Sequence, residues 1–204
     1  MKDFLTIKDK IFRHEFVVEK SRFISFACQV STVGQAIFFI ESISKQHYDA
    51  THNCYAYLTD DGQKFSDDGE PQGTAGMPIL NAIKGKQLHN VAVVVTRYFG
   101  GIKLGAGGLV RAYGKAASNV LEEAEKVQFL QCDLFKVKCD YSYVSSVEST
   151  AFAFGKIAER EYYADVTYKI IVPVSKSNDF EKKLIDVTQG RVNAQKIATQ
   201  VIEF

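Results

Sequence analysis

The stretch that most constrains the fold is residues 91–117, VAVVVTRYFGGIKLGAGGLVRAYGKAA. Its β-branched beginning is typical of a buried strand. Five glycines then fall within residues 100–108. Apolar residues recur at helical spacing after them, as a stripe of Leu109, Tyr113, Ala116, Val120 and Ala124. The stretch therefore predicts a buried strand that ends at Phe99, a glycine loop, and a helix that begins between Leu104 and Leu109.

Two interpretations of the glycine loop stay open. Free N–H groups at a helix start carry partial positive charge and bind anions, and glycines let the backbone approach a ligand closely. Lys103 and Arg97 would add charge-assisted contacts to a phosphate. The pattern is neither GxxxxGK[ST] nor GxGxxG. The alternative is that the glycines only allow a sharp turn between strand and helix and close packing of the helix.

Charge is sorted into blocks around this loop, although the formal net charge is only +1. Residues 60–70, DDGQKFSDDGE, contain five acids and one lysine. Residues 71–121 contain no acid but six bases, Lys84, Lys86, Arg97, Lys103, Arg111 and Lys115. Such sorting can create a local field on a neutral protein, which favours an anionic ligand for the basic block.

Two aromatic residues, Tyr98 and Phe99, come just before the loop. Adjacent strand residues point to opposite faces of a sheet, so one of the two is expected in the core. The other could stack on a nucleic-acid base, or it could simply pack against the protein.

The acidic segment SDDGEPQGTAG contains three candidate metal ligands, Asp67, Asp68 and Glu70. Their oxygens could hold Mg²⁺, but the spacing is not that of an EF-hand loop. The alternative is a solvated acidic turn, which could form salt bridges with the basic block. We expect no metal here.

The segment HNC places His52 and Cys54 on one face of a predicted strand. A nucleophilic thiol needs a base within hydrogen-bond reach, whereas residues i and i+2 of a strand are about 6.5 Å apart by rise alone. A buried, unreactive thiol is the default interpretation. The four cysteines form no CxxC pair, and residues 1–16 lack the apolar core of a signal peptide. These observations predict a cytoplasmic protein with reduced thiols, and no membrane partner is expected.

The whole chain is predicted to form two domains, residues 1–130 and 131–204. The first begins with two or three strands and a helix capped by Ser31 or Thr32, whose buried face would contain Ala36, Ile37, Ile40 and Ile43. The composition changes at Gln128, because eleven of the fourteen glycines lie between residues 62 and 114.

The second half follows the order βαββαβ, which is the ferredoxin-like plan. The predicted elements are strand 133–140, helix 143–157, strands 160–164 and 166–174, helix 178–188 and strand 194–203. Asn178 is the expected cap of the second helix, and Gly190 is expected at its end.

Three segments, HNCYAY, SDDGEPQGTAG and VAVVVTRYFGGIKLGAGGLVRAYGKA, resemble the IMPACT/YigZ family. The resemblance is collinear over residues 15–120, and the second half resembles the small second domain of bacterial members by its pattern. It implies an α+β protein with an N-terminal α/β sandwich like domain 2 of a small-subunit ribosomal protein. The C-terminal domain would be ferredoxin-like, similar to one in a translocating elongation factor. By position, the family motif falls on Arg97, Tyr98, Gly100, Gly101, Lys103, Gly105, Gly107, Gly108 and Arg111, and on Asp67, Asp68 and Glu70.

The resemblance implies a role in translation, because both fold relatives work on the ribosome. Eukaryotic members compete for the activator of a kinase that phosphorylates an initiation factor, and they carry an extra N-terminal domain for partner binding. This sequence begins at the family core, so that kinase-linked role is not expected to carry over. For bacterial-type members the resemblance implies nucleic-acid binding.

The leading hypothesis is a non-enzymatic RNA- or ribosome-binding protein that regulates translation and needs no cofactor. Tyr98 or Phe99 would stack on a base, and the RNA backbone would contact four basic side chains, Arg97, Lys103, Arg111 and Lys115. One alternative is a small-molecule enzyme that holds a phosphate or nucleotide on loop 100–108 and Mg²⁺ on Asp67 or Asp68. Another is that both loops form an interface with a protein partner.

Overall fold

The computed structural model describes residues 3–204, which form two compact units. One unit is Phe4–Gln128, and the other is Phe129–Phe204 together with Asp3. The described chain contains five α-helices and two β-sheets, so the predicted α+β class is confirmed.

The first unit is built on one antiparallel sheet. After the short strand β1 (Phe4–Ile7), five strands lie side by side in the order β2, β3, β6, β4, β5. Their bounds are β2 Phe12–Val18, β3 Ser21–Gln29, β4 His52–Thr59, β5 Gly62–Ser66 and β6 Val91–Tyr98. Strand β6 is therefore central, with β3 and β4 as its antiparallel neighbours.

Helices cover both faces of this sheet, which explains why β6 is apolar from Val91 to Val95. Helix α1 (Val33–Gln46) packs on one face, while α2 (Gly76–Gly85) and α3 (Gly105–Glu123) pack on the other. Side chains of a strand alternate between faces. Accordingly Val93 and Val95 belong to the core under α2 and α3, and Val94 belongs to the core under α1.

The apolar stripe predicted for α3 is confirmed, because its five members, Leu109, Tyr113, Ala116, Val120 and Ala124, are all buried. In α1, the Thr32 hydroxyl caps the helix by accepting from the Gln35 N–H. The prediction for Ile37 is wrong, since its side chain is 46% exposed and Phe39 is buried instead. Ile37 lies about 100° around the helix from Ala36, away from the buried stripe.

The second unit has the predicted βαββαβ order. Its elements are β7 Lys126–Cys139, α4 Val144–Phe154, β8 Lys156–Tyr162, β9 Val166–Pro173, α5 Ser177–Val187 and β10 Ala194–Glu203. The strands β10, β7, β9 and β8 pair antiparallel in that order. This is the ferredoxin-like arrangement, and Phe135, Tyr168 and Phe180 are central in its core.

Some element ends differ from the sequence prediction. Helix α4 ends at Phe154 because Gly155 turns the chain directly into β8, which begins at Lys156. Asn178 lies inside α5 and is not its cap, since the helix begins one residue earlier at Ser177. Within residues 3–204, no helix is long and apolar enough to cross a membrane.

Candidate functional site

The glycine loop connects the central strand to α3 and is open to solvent. Strand β6 ends at Tyr98, one residue before the predicted end at Phe99, and α3 begins at Gly105, within the predicted range of 104–109. Gly101, Lys103 and Gly105 are exposed. Helix α3 begins without a side-chain cap and without an acid in its first turn. The first N–H groups of a helix have no partner within the helix, so these groups are available to an anion.

Three of the loop glycines are required by geometry. Gly101 and Gly105 have φ values of +87° and +72°, which residues with a side chain rarely adopt. A Cβ added to Gly100 would overlap the carbonyl group of Lys20. The interpretation of these glycines as a tight turn is therefore correct for part of the loop.

Gly107 has no such steric reason. A Cβ added there would meet only the Arg111 Nη1, at 3.5 Å, which is an ordinary contact. At Gly108 an added Cβ would come within 2.9 Å of the Leu104 side chain. Gly107 lies in the exposed first turn of α3, where glycine destabilises a helix relative to alanine. The absence of a side chain at this position leaves the backbone accessible.

Arg97 is not an exposed cation. Its side chain is buried, and Nη1 donates to Glu70 Oε1 at 2.6 Å. The Tyr113 hydroxyl donates to the same carboxylate oxygen at 2.7 Å, and Arg97 Nη2 donates to Ser21 Oγ at 3.3 Å. The prediction that Arg97 contacts the RNA backbone as a free charge is wrong, because Glu70 neutralises it. Sequence reasoning also missed Tyr113 and Ser21 in this network.

Tyr98 lies on the opposite face of the sheet from the loop. Its ring packs against the core under α1, and its hydroxyl donates to Asp49 Oδ1 at 3.0 Å. The Arg22 guanidinium lies over the ring at 4.6 Å from the centroid. The assignment of Tyr98 to the site is therefore wrong. Phe99 is the aromatic residue that remains exposed beside the loop.

A cavity of about 430 Å³ lies between the end of β6 and the start of α3. It is lined by His52, Arg97, Phe99, Lys103, Gly105 and Ala106, among others. The backbone at the start of the helix and the Lys103 side chain thus border the same space as the buried Arg97. We call this space the loop cavity.

A groove of about 590 Å³ lies on the other side of Lys103, between β2 and α3. Arg111 and Lys115 line it together with Lys103, and both side chains are exposed. Its apolar lining includes Phe16, whose ring lies under the Lys115 Nζ at 5.4 Å, and its one acid is Glu19. The structure therefore brings three of the four proposed backbone-binding cations into one continuous region.

Comparisons with known proteins place this region within a recognised family. A family model described as "Impact N-terminal domain" matches residues 19–121, and one described as "Domain of unknown function (DUF1949)" matches residues 137–191. "IMPACT family member YvyE" from Bacillus subtilis is 42% identical over 182 residues, which covers 87% of this chain and 84% of that protein. This chain belongs to the IMPACT family.

Further relatives cover most of the chain as well. "IMPACT family member YigZ" from Escherichia coli is 37% identical over 179 residues, covering 85% of this chain and 88% of that protein. A solved structure described as "Crystal structure of an hypothetical protein" is 32% identical, with a TM-score of 0.62 over 97% of this chain and 98% of that one. The glycine loop and the loop cavity both fall inside the match to the Impact N-terminal domain.

The carboxylates of the acidic segment of this IMPACT-family protein are held by hydrogen bonds within the first unit. Asp67 Oδ1 accepts from the N–H groups of Ala75 and Gly76, and Oδ2 accepts from that of Gly73. Asp68 Oδ2 accepts from the Asn53 N–H at 2.6 Å.

The three carboxylates of the acidic segment have different hydrogen-bond partners, because Glu70 accepts from Arg97. Among residues 3–204, no group of three or more His, Cys, Asp and Glu side chains converges on a possible metal position. The structure therefore does not bring Asp67, Asp68 and Glu70 together as one set of ligands.

Cys54 is a buried thiol, as the default interpretation holds. Its Sγ donates to the Asp67 carbonyl at 2.9 Å, and burial raises the pKa of the thiol far above its usual range. His52 Nδ1 donates to the Asp68 carbonyl at 2.7 Å and not to the thiol. A thiol that stays protonated and lacks a base cannot act as a nucleophile at neutral pH.

We expect Asp67→Asn to lower the free energy of unfolding by about 1–3 kcal/mol at neutral pH, because charge-assisted hydrogen bonds at the start of α2 weaken. Burial alone would raise the pKa of Asp67, but three backbone N–H donors outweigh it and lower that pKa below the ordinary value. The stabilisation is therefore present above the unfolded pKa and is lost as the pH falls through the lower folded pKa. Thermal unfolding from about pH 6 to pH 2 should show the two proteins converging in acid. Asp61→Asn, at an exposed position, is the control. A constant difference at every pH would contradict the assignment.

Proposed function

We propose that this protein binds RNA without catalysis, free or on the ribosome, and thereby regulates translation. The binding region is the loop surface, which we define as the exposed backbone of residues 101–107 with Lys103, Arg111 and Lys115. One observation carries the proposal: the uncapped start of α3 is exposed, has no acid in its first turn, and is flanked by three exposed cations.

The electrostatics of the loop surface favour a bound phosphate. A helix start is equivalent to roughly half a positive charge, and an acid normally stabilises it. Here Lys103 precedes the helix, and the Arg111 guanidinium lies against Gly107 in the first turn. Positive groups gathered in this way repel one another until an anion binds, and the phosphates of RNA supply a row of such anions.

Two lysines on the sheet of the second unit are paired with acids. Lys138 forms an ion pair with Asp165 at 2.7 Å. Lys169 forms one with Glu159 at 2.6 Å. These cations are already neutralised, so we place RNA binding on the first unit. The enzyme alternative has no comparable support, because the carboxylates of Asp67 and Asp68 are engaged by backbone N–H groups.

The proposal predicts salt-dependent binding of modest strength. Three phosphate contacts on a single strand give a slope of about −2 in log K against log salt, which is a loss of about 20-fold between about 50 and 200 mM. Fluorescence anisotropy with a labelled single-stranded RNA measures this slope. Binding that does not change with salt, or no binding at low salt, would contradict the proposal.

Charge reversal locates the binding region. Arg111→Glu combined with Lys115→Glu should weaken binding by at least about tenfold and flatten the slope from about −2 to about −0.7, because two of three phosphate contacts are lost. The control combines Lys45→Glu with Lys182→Glu, two exposed lysines elsewhere, and causes the same change in net charge. Equal weakening by both pairs would show that only net charge matters and would remove the loop surface from the proposal.

A further inference from the structure

The loop cavity has a rigid aromatic wall. Phe99 is 45% exposed, although the Arg97 guanidinium lies over its ring at 5.4 Å from the centroid. The same guanidinium lies over the buried Phe23 ring at 5.5 Å and is held by Glu70. A ring supported from below by a buried ion pair can stack on a base with its exposed surface.

Arg97, one of the residues that line the cavity, also carries an unsatisfied donor. Across the described residues 3–204, its Nε is the one buried side-chain nitrogen or oxygen without a hydrogen-bond partner. The whole side chain is only 5% exposed. Buried donors are nearly always paired, so an unpaired one in a side chain that lines a cavity needs an explanation, and a molecule bound in the cavity would supply one. This observation is independent of the exposed helix start.

The opposite end of the cavity is suited to a phosphate. Gly105 and Ala106 line it at the uncapped start of α3, and Lys103 lines it beside them. A volume of about 430 Å³ is at the lower end of the range for small-molecule sites, about 300–1,000 Å³. That volume accommodates one nucleotide. A base paired within a duplex cannot enter it, because both faces of that base are stacked on neighbours.

We infer that the loop cavity receives one unpaired nucleotide of the bound RNA. Its base stacks on Phe99, and its phosphate contacts the N–H groups at the start of α3 and Lys103. Phe99 is then a binding residue, and Arg97 is a positioning residue that supports its ring. The inference rests on the proposed RNA binding and adds that the RNA is single-stranded at this point.

Phe99→Ala tests the stacking contact. We expect binding of single-stranded RNA to weaken by about 5- to 150-fold, the range for loss of one base–aromatic stack. Phe99→Tyr should retain binding because it keeps the ring. Phe38→Ala removes a more exposed phenylalanine from α1 and should change nothing, since Phe38 is 75% exposed and away from the loop. Duplex RNA of the same sequence should bind more weakly than the single strand and should not respond to Phe99→Ala.

A fluorescent base tests the inference without relying on a variant. Single-stranded RNA containing 2-aminopurine at successive positions should show a change in emission at one position on binding to the native protein. Phe99→Ala should abolish that change. Unaltered emission at every position, unaltered affinity in Phe99→Ala, or equal binding of duplex and single strand would overturn the inference while leaving the proposed function intact. Absence of any RNA binding by the native protein would instead refute the proposed function itself.

Discussion

Glu70→Ala is expected to lower the free energy of unfolding by about 3–5 kcal/mol, because it leaves the Arg97 charge buried without a counter-ion. The side chains of Arg97 and Glu70 are only 6% and 4% exposed. The variant also removes the acceptor of the Tyr113 hydroxyl, which is itself buried. At so little exposure, the expected cost is large compared with that of a surface pair.

Urea unfolding at neutral pH measures this loss. Glu122→Ala, which breaks an exposed ion pair with Lys86, is the control and should change the midpoint much less. A double variant, Glu70→Leu with Arg97→Met, should recover part of the loss because no charge is then left buried. If the single variant does not fold, folding of the double variant still tests the cause. If Glu70→Ala is as stable as the native protein, the Arg97–Glu70 pair does not hold β6 and α3 together.

Gly100→Ala is expected to cost about 3 kcal/mol, at the upper end of the range for overpacking. An added Cβ would overlap the Lys20 carbonyl group and come within 2.5 Å of the Ser21 nitrogen. All of these are backbone atoms, which cannot rotate away as the end of a side chain can. The turn between β2 and β3 would have to move from the end of β6.

Gly107→Ala is the matched variant in the same loop. It should leave stability unchanged or raise it by up to about 1 kcal/mol, because alanine favours a helix more than glycine and no backbone atom blocks the methyl group. Under the proposed function it should also weaken RNA binding, since the methyl group limits approach to the helix start. Thermal unfolding of Gly100→Ala and Gly107→Ala distinguishes a glycine required by packing from one that only leaves the backbone accessible. Equal destabilisation would mean that Gly107 is as structural as Gly100.

The strand, the loop and the stripe of α3 could be predicted because each depends on local spacing. The β-branched residues of β6 and the five residues of the predicted stripe from Leu109 to Ala124 are separated by the periods of a strand and a helix. The same reasoning fails for Ile37, where neighbouring apolar residues on a helix left more than one buried face possible. The prediction of Asn178 as the cap of α5 is also wrong by position, because α5 starts at Ser177.

The burial of Arg97 could have been predicted from the alternation of side chains along β6. By alternation Arg97 shares a face with Val93 and Val95, so it follows them into the core and needs an acid there. Its partner Glu70 lies 27 positions earlier in an acidic segment with several candidates. Only the approach of that segment to the end of β6 selects Glu70. The loop cavity depends on the same approach, so no local pattern could have located it.

The ion pair beneath Phe99 has a consequence for how fast a ligand can associate. Strand β6 and α3 meet on one carboxylate, which fixes the aromatic wall and the helix start relative to each other before anything binds. A recognition surface that is already in its final shape requires little ordering on encounter. Collision frequency and long-range attraction, and not a slow rearrangement of the chain, should then set the rate of complex formation.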